Sequence, residues 1–224
     1  VDSFTMRRPQ HLPVEINRGG TRALPSRAAD HIYWLGRYAE RAEHLARVLR
    51  CILTRVSSEP ETSGTSQWDS LMRLYECTQS PHSRLAPGDP QRRLDQTRDL
   101  EQEILSRIFE EQRTDSLHAT LSRAGRAAAQ VRERLSSDML RVLSQLGSLA
   151  RANDNSAWGY VPAVEALAVL NRSIVTLAAL RGIELENMTR EPGWHFLGIG
   201  RRIERAIQLI GLFRGIIVPF GTHT

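Results

Sequence analysis

Apolar residues recur at steps of three and four along most of the chain, which is the pattern of helices with one buried face. The longest such series follows Pro25, with Ser26 as the expected N-cap, and continues to Val56. The alternation of apolar and polar residues that marks strands is not sustained anywhere in the sequence. The pattern therefore predicts an all-α protein whose first helix is long.

Six further helices are predicted between stretches rich in proline, glycine or small polar residues. Their expected ranges, in chain order, are 67–78, 91–110, 114–135, 136–149, 164–188 and 193–217. Thr114 or Asp115 should cap the fourth helix, Ser136 and Ser137 should open the fifth, and Pro192 suits the first turn of the seventh. We therefore expect a bundle of about seven helices with long first and last members.

The helical part of the sequence is expected to form one domain, residues 25–217, because a chain of 224 residues can bury a single large core. Residues 1–24 contain two prolines and two glycines among polar residues and are predicted to be a linker or arm. Residues 218–224 would be a C-terminal tail. The chain does not begin with Met, which indicates a fragment or a processed product.

Arginine supplies all 30 basic residues, because the sequence contains no lysine. This excludes Schiff-base chemistry, a Walker A lysine and a lysine general base. The net charge of +5 permits an acidic partner, but the arginines alternate with acidic residues as on solvated helix faces. We expect no nucleic-acid partner, since neither a recognition motif nor a basic run with interleaved aromatics is present.

Membrane insertion is not expected, because no apolar run approaches the length of about 20 residues that a spanning helix needs. The sequence also lacks a secretory signal, so a cytoplasmic location is the default prediction. Cys51 and Cys77 are expected to be reduced, packed thiols. The spacing of the seven histidines predicts no metal site.

One segment of the first helix returns in the last helix. Residues 32–50 read IYWLGRYAERAEHLARVLR, and residues 196–214 read FLGIGRRIERAIQLIGLFR. A shift of 164 positions places Gly36 on Gly200 and aligns seven identical residues, which is typical of an internal repeat. The shared pattern is G-R-x-x-E-R-A. Because glycine inside a helix costs about 1 kcal/mol relative to alanine, we expect both glycines where the two helices cross closely.

The charged residues of this motif allow more than one interpretation. At such a crossing Glu40 would face Arg205 and Glu204 would face Arg41, and these reciprocal ion pairs would fix the register of the helices. Alternatively, the guanidinium groups would hold a carboxylate or phosphate; the arginines concerned are Arg37, Arg41, Arg201, Arg202 and Arg205. In an enzyme, Glu40 or Glu204 would act as the general acid or base.

Aromatic residues flank both copies of the motif. Trp34 and Tyr38 lie in the first copy, and Trp194 precedes the second. Their rings would either pack at the edge of the bundle or form the rim of a cleft that both motifs share.

Three segments together resemble the bacterial Alpha-E family, and they occur in the family's order: RAADHIYWLGRYAERAEHLARVLR, VRERLSSDMLRVL and NMTREPGWHFLGIGRRIERAIQL. The resemblance covers nearly all of residues 24–214 and implies a helical domain named for its Glu-Arg motif. It implies motif positions at Glu40, Arg41, Glu204 and Arg205, with Gly36, Arg37, Gly200 and Arg201 beside them. His31 and Leu140 depart from the family's pattern, in which asparagine and tryptophan are usual.

The resemblance also implies a partner. Alpha-E domains are fused to, or encoded beside, circularly permuted ATP-grasp proteins of the amide-ligase type, and transglutaminase-like peptidases occur in the same neighbourhoods. ATP and Mg²⁺ would then belong to the partner, and this chain would hold no cofactor. Three functions stay open: a noncatalytic accessory domain that binds the ligase or a carboxylate-bearing peptide substrate, an enzyme, and a purely structural scaffold.

Overall fold

A computed structural model of the chain describes residues 24–58, 65–76, 93–151 and 162–216. These ranges contain seven α-helices: α1 (Ser26–Ser58), α2 (Thr65–Glu76), α3 (Arg93–Phe109), α4 (Leu117–Ala129), α5 (Ser137–Arg151), α6 (Ala163–Asn187) and α7 (Pro192–Ile216). One turn of 3-10 helix, Arg132–Arg134, connects α4 to α5. The described ranges contain no strand, and the predicted all-α bundle of about seven helices is confirmed.

The first helix, α1, is the central element of the bundle. It is 33 residues long and packs against α7, α4 and α6, with α2 and α3 covering part of it as well. The apolar stripe predicted from the sequence is buried, and its members are Ile32, Leu35, Ala39, Ala42, Leu45, Ala46, Leu49, Ile52, Leu53 and Val56. All seven helices contribute to one hydrophobic core around this stripe.

The start of α4 corrects one prediction from the sequence. The helix begins at Leu117, and its N-cap is Ser116, whose Oγ accepts a hydrogen bond from the Ala119 N–H at 3.0 Å. Asp115 does not cap the helix, because its carboxylate accepts instead from Arg113 Nε at 2.8 Å. At the other end, α4 stops at Ala129 instead of reaching residue 135, and the chain continues into the 3-10 turn.

Other helix ends lie close to their predicted positions. The Pro25 carbonyl accepts from the Ala29 N–H at 3.0 Å, so Pro25, and not Ser26, takes the N-cap position of α1. Ser136 caps α5 as predicted, since its Oγ accepts from the Met139 N–H at 3.2 Å. The prediction of two long helices was incomplete, because α6 and α7 have 25 residues each.

The structure tests the prediction of packed thiols for one of the two cysteines. Cys51 is exposed on α1, so the prediction of a packed thiol there was wrong. Cys77 lies outside the described residues, as do the predicted arm up to residue 23 and the predicted tail at 218–224.

By length and composition, α6 alone among the described helices is apolar enough to cross a membrane, and a third of its most apolar stretch is buried. Its buried residues include Leu170, Leu177 and Leu180, which belong to the hydrophobic core. The same face carries Glu184, whose carboxylate accepts from Arg201 Nε at 2.8 Å. The remainder of that stretch is not buried within the bundle, where α6 packs mainly against α1 and α5.

Candidate functional site

The first and last helices cross with their main chains in contact. A Cβ atom added at Gly36 would lie 2.3 Å from the Leu197 carbonyl oxygen, and one added at Gly200 would lie 2.2 Å from the Tyr33 carbonyl oxygen. The two contacts are reciprocal, because Tyr33 and Leu197 are related by the same shift of 164 positions as the glycines. The structure thus places both glycines at the crossing, where no larger residue fits.

Two guanidinium groups from α1 hold the Glu204 carboxylate of α7. Arg41 donates from Nε to Oε1 at 2.6 Å and from Nη2 to Oε2 at 2.9 Å. Arg37 donates from Nε to Oε2 and, through Nη1, to the Tyr33 hydroxyl at 2.7 Å. The Glu204 side chain is 4% exposed, so these bonds replace the water that it would bind in the unfolded chain.

The reciprocal carboxylate, Glu40 of α1, is held from α7. Arg205 Nε donates to its Oε1 at 2.6 Å, and Arg201 Nη1 lies 3.6 Å from its Oε2. Arg201 also donates from Nε to Glu184 on α6 at 2.8 Å, so the ion pairs connect three helices. Arg181 of α6 reaches Glu40 at 4.0 Å. The expected pairs Glu40–Arg205 and Glu204–Arg41 are present, and the sequence analysis missed Glu184 and Arg181.

Burial and ion pairing in this cluster shift the pKa values of several of its groups. Burial is the largest influence on the Glu204 pKa and raises it, but donation from Arg41 and Arg37 outweighs burial and places the pKa below its ordinary value. The hydrogen bond to Glu40 raises the pKa of Arg205. Half-buried His44 lies beside the two carboxylates; burial lowers its pKa, although both negative charges oppose that shift.

Most of the guanidinium groups predicted to bind an external anion are engaged by carboxylates of this chain. The cluster joins Arg37, Arg41, Arg201 and Arg205 to three buried acids, Glu40, Glu184 and Glu204. Only its edges reach solvent: the side chains of Arg41, Arg205 and Arg181 are 37%, 44% and 43% exposed. An anion could therefore approach at the edges, while the centre is closed by ion pairs.

Two of the predicted aromatic residues lie with the cluster. Trp34 and Tyr38 stack with their ring centroids 5.4 Å apart. The Arg37 guanidinium lies 5.5 Å from the Trp34 ring, and the Arg41 guanidinium lies 5.9 Å from the Tyr38 ring. These cation–π contacts help to hold the two guanidinium groups beside Glu204.

Two other predicted site residues lie apart from the cluster. Trp194 lines a cavity of about 320 Å³, together with Ile32, Arg134 and Met188, whose lining includes none of the Glu-Arg motif residues. Arg202 is exposed, and no carboxylate within the described ranges pairs with it. The lining of this cavity holds Trp194 but neither Trp34 nor Tyr38, so the cavity does not support the interpretation in which all three rings border one cleft.

The sequence analysis missed a second charged network, where α2, α3 and the start of α4 meet. Arg113 Nη2 lies 2.7 Å from Glu103 Oε1, and the Tyr75 hydroxyl donates to the same oxygen at 2.6 Å. Arg107 is 1% exposed, with its guanidinium 5.5 Å from the Tyr75 ring and Nη2 3.5 Å from Asp115. The sequence did contain a signal for this network. Arg107 lies three positions after Ile104, on the face of α3 that carries the buried apolar residues, and an arginine on such a face needs a partner.

Metal binding was not expected from the sequence. In the part of the chain that the structure describes, His, Cys, Asp and Glu side chains form no group of three or more that could hold a metal ion.

The fold and the cluster together define a class of protein: a helical bundle whose first and last helices are joined by reciprocal Glu-Arg pairs. The chain belongs to the Alpha-E family. Residues 24–218 match the model of this family, which is described as a predicted alpha-helical domain with a conserved ER motif. The family resemblance seen in the sequence is thereby confirmed.

Longer proteins contain a region similar to this chain. The uncharacterised proteins Rv2567 of Mycobacterium tuberculosis and Mb2597 of Mycobacterium bovis are each 28% identical to it over 219 residues. The similarity covers 93% of this chain and 24% of each relative, so the chain spans about a quarter of the length of these curated relatives. No solved structure matches the chain.

Proposed function

We propose that the chain is a noncatalytic helical accessory domain that acts with a circularly permuted ATP-grasp ligase in ATP-dependent amide or peptide bond formation. The ligase, as the family resemblance implies, would bind ATP and Mg²⁺. This chain would contribute a rigid bundle that binds the ligase and positions a carboxylate-bearing peptide substrate.

One observation carries the noncatalytic part of this proposal. Both motif carboxylates are buried, and each is held by guanidinium groups from the opposite helix. The pKa of Glu204 lies below its ordinary value, because donation from Arg41 and Arg37 outweighs burial, so this carboxylate is a weak base at neutral pH. A carboxylate that accepts three hydrogen bonds from arginines, as Glu204 does, is poorly suited to proton transfer, whereas it is well suited to joining helices.

The substrate part of the proposal is supported by the edges of the cluster. Arg41 uses Nε and Nη2 for Glu204, Arg205 uses Nε for Glu40, and their side chains remain 37% and 44% exposed. A guanidinium has five N–H donors, so the outer donors of both arginines remain able to bind a carboxylate from solution. A peptide carboxylate at this edge would lie against Tyr38, whose ring faces Arg41.

The test combines this chain with the circularly permuted ATP-grasp protein of the same organism and measures ADP release in the presence of carboxylate and amine substrates. We expect no ADP release by the chain alone and a several-fold faster release by the mixture than by the ATP-grasp protein alone. ADP release by the isolated chain would contradict the noncatalytic role. An unchanged rate in the mixture would contradict the partnership.

The two alternatives predict different effects of Glu40→Gln and Glu204→Gln. In an enzyme, these substitutions would abolish activity while the chain stays folded. In a purely structural scaffold, they would lower the melting temperature, and binding to the partner would fall only as far as the loss of stability explains. Melting curves measured beside the ADP assay separate these outcomes.

A further inference from the structure

The solvent side of α7 carries a row of apolar residues with a seven-residue period. We define the α7 stripe as the six positions Phe196, Ile199, Ile203, Ala206, Ile210 and Phe213. Its five large side chains are between 38% and 57% exposed, and the neighbouring Ile207 and Leu209 are exposed as well. The stripe is about 26 Å long at 1.5 Å per residue. Contiguous exposed apolar surface of this kind marks an interaction site.

The internal repeat indicates what kind of structure covers such a face. The shift of 164 positions places the α7 stripe on six residues of α1: Ile32, Leu35, Ala39, Ala42, Ala46 and Leu49. These six are at most 1% exposed and belong to the hydrophobic core, where α1 packs against α4 and α6 as well as α7. The same face is thus covered by helices in the first copy and exposed in the second. Its period of alternating three and four residues is also that of a helix-helix contact.

The charges beside the α7 stripe indicate the character of the partner. The exposed charged residues of α7 are Arg202, Arg205 and Arg214, whereas its single carboxylate, Glu204, is buried and paired. A Cβ at Gly198 would lie 2.6 Å from Arg202 Nη1, so this guanidinium lies back along the helix, one turn toward its N-terminus. A second copy of this chain would bring the same arginines and no acid to the contact, which disfavours self-association.

We propose that the α7 stripe binds an amphipathic helix of another polypeptide, whose apolar row is bordered by Asp and Glu. This deepens the interaction role proposed above and rests on it. Acidic residues at the borders of the partner helix would pair with Arg202 and Arg214, as charges beside a coiled-coil seam select partners.

The test measures binding of the full chain to two fluorescent helical peptides by anisotropy. Both peptides have about four heptads with leucine at positions a and d; one carries Glu and the other Lys at positions e and g. We expect the acidic peptide to bind at least about tenfold more tightly than the basic one, and its binding to weaken as salt increases.

Substitutions then assign the binding to the stripe. Ile203→Ser with Ile210→Ser should weaken binding of the acidic peptide by at least about tenfold, because both are large exposed side chains of the stripe. Val164→Ser with Val175→Ser is the matched control, since these α6 side chains are 79% and 68% exposed and lie outside the stripe. The control should leave binding unchanged, and melting curves should show that both variants fold.

Several results would overturn the inference. One is equal binding of the two peptides, and another is binding of the acidic peptide that the α7 substitutions leave unchanged. A concentration-dependent dimer that Ile203→Ser with Ile210→Ser abolishes, seen by light scattering, would assign the stripe to a second copy. Cosedimentation with phosphatidylglycerol vesicles that the same variant loses would assign it to a lipid surface.

The peptide experiment and the ADP assay can fail separately. If the acidic peptide binds the stripe and the ATP-grasp protein is unaffected by the chain, the surface stands and the ligase is the wrong partner. If the ADP rate rises and the rise is insensitive to Ile203→Ser with Ile210→Ser, the accessory role stands and the α7 stripe is not its interface.

Discussion

Contacts of single residues at the crossing of α1 and α7 explain why the motif combines a glycine with a Glu-Arg pair. The glycine provides main-chain contact, and the Glu-Arg pair four and five positions later bonds to the opposite helix. The repeat predicted these partners, because reciprocal contacts follow once two copies cross at their glycines. It did not predict Glu184 or Arg181, since neither belongs to a copy of the motif.

Replacement of Gly36 by Ala should lower the free energy of unfolding by about 1 to 3 kcal/mol, as overpacking does. The added methyl group would meet the Leu197 carbonyl oxygen at 2.3 Å, and a main-chain atom cannot move without separating the helices. Urea denaturation measures the change. Gly182→Ala in α6 is the control, because nothing lies within 4 Å of its Cβ position. The control should gain up to about 1 kcal/mol from helix propensity.

Replacement of Glu204 by Gln should cost about 3 kcal/mol of stability, the lower end of the range for breaking a buried ion pair. The lower end applies because Arg41 is 37% exposed and can be partly rehydrated. The control is Arg141→Gln on α5, whose side chain is 70% exposed and pairs with Asp138 at 3.3 Å. Loss of that surface pair should cost less than about 0.5 kcal/mol. Equal effects of the two substitutions in urea denaturation would contradict the structural role of Glu204.

Among the helices, α1 and α7 were predictable and α4 was not, for a physical reason. The apolar series of α1 is long and its period is unambiguous, so small errors at its ends leave its position unchanged. The region before α4 offers Thr114, Asp115 and Ser116 as possible caps. The choice among them depends on Arg113, which engages Asp115 through a contact formed only in the folded chain.

Replacement of Ser116 by Ala should destabilise the protein by about 1 kcal/mol, because the Ala119 N–H would lose its acceptor. Ser116 is fully buried, so no water can replace the lost oxygen without rearrangement. Ser122→Ala, inside α4, is the matched control. Because alanine is the better helix former, that variant should be unchanged or more stable by up to about 0.5 kcal/mol in thermal or chemical denaturation.

On the scale of all the described residues, the two ion-pair networks reported above lie in different parts of the bundle, and both depend on ionised acids. The pKa values of Glu103, Asp115 and Glu204 lie below their ordinary values, because hydrogen bonds from arginines outweigh burial in each case. A carboxyl group with a depressed folded pKa stabilises the protein above its unfolded pKa. That contribution disappears as the pH falls through the folded value.

The free energy of unfolding should therefore fall as the pH is lowered below about 4.5, near the ordinary pKa of these carboxyl groups. Urea denaturation curves recorded at a series of pH values between neutral and acidic give the slope of the free energy of unfolding against pH. Glu103→Gln and Glu204→Gln should each flatten it, whereas Glu186→Gln, at an exposed position of α6, should not. If Glu103→Gln and Glu204→Gln both leave the pH dependence unchanged, acid acts through other groups.

The contact of main chains at Gly36 and Gly200 has a mechanical consequence. The ion pairs four and five positions beyond each glycine hold the same two helices a second time, so the crossing is a rigid joint from which α7 extends in two unequal arms. The arm toward Phe213 is about 20 Å long, and the arm toward Pro192 is about 12 Å long. A partner helix bound along the longer arm would therefore pull on α1 as well, because the joint passes the force to the central helix of the bundle.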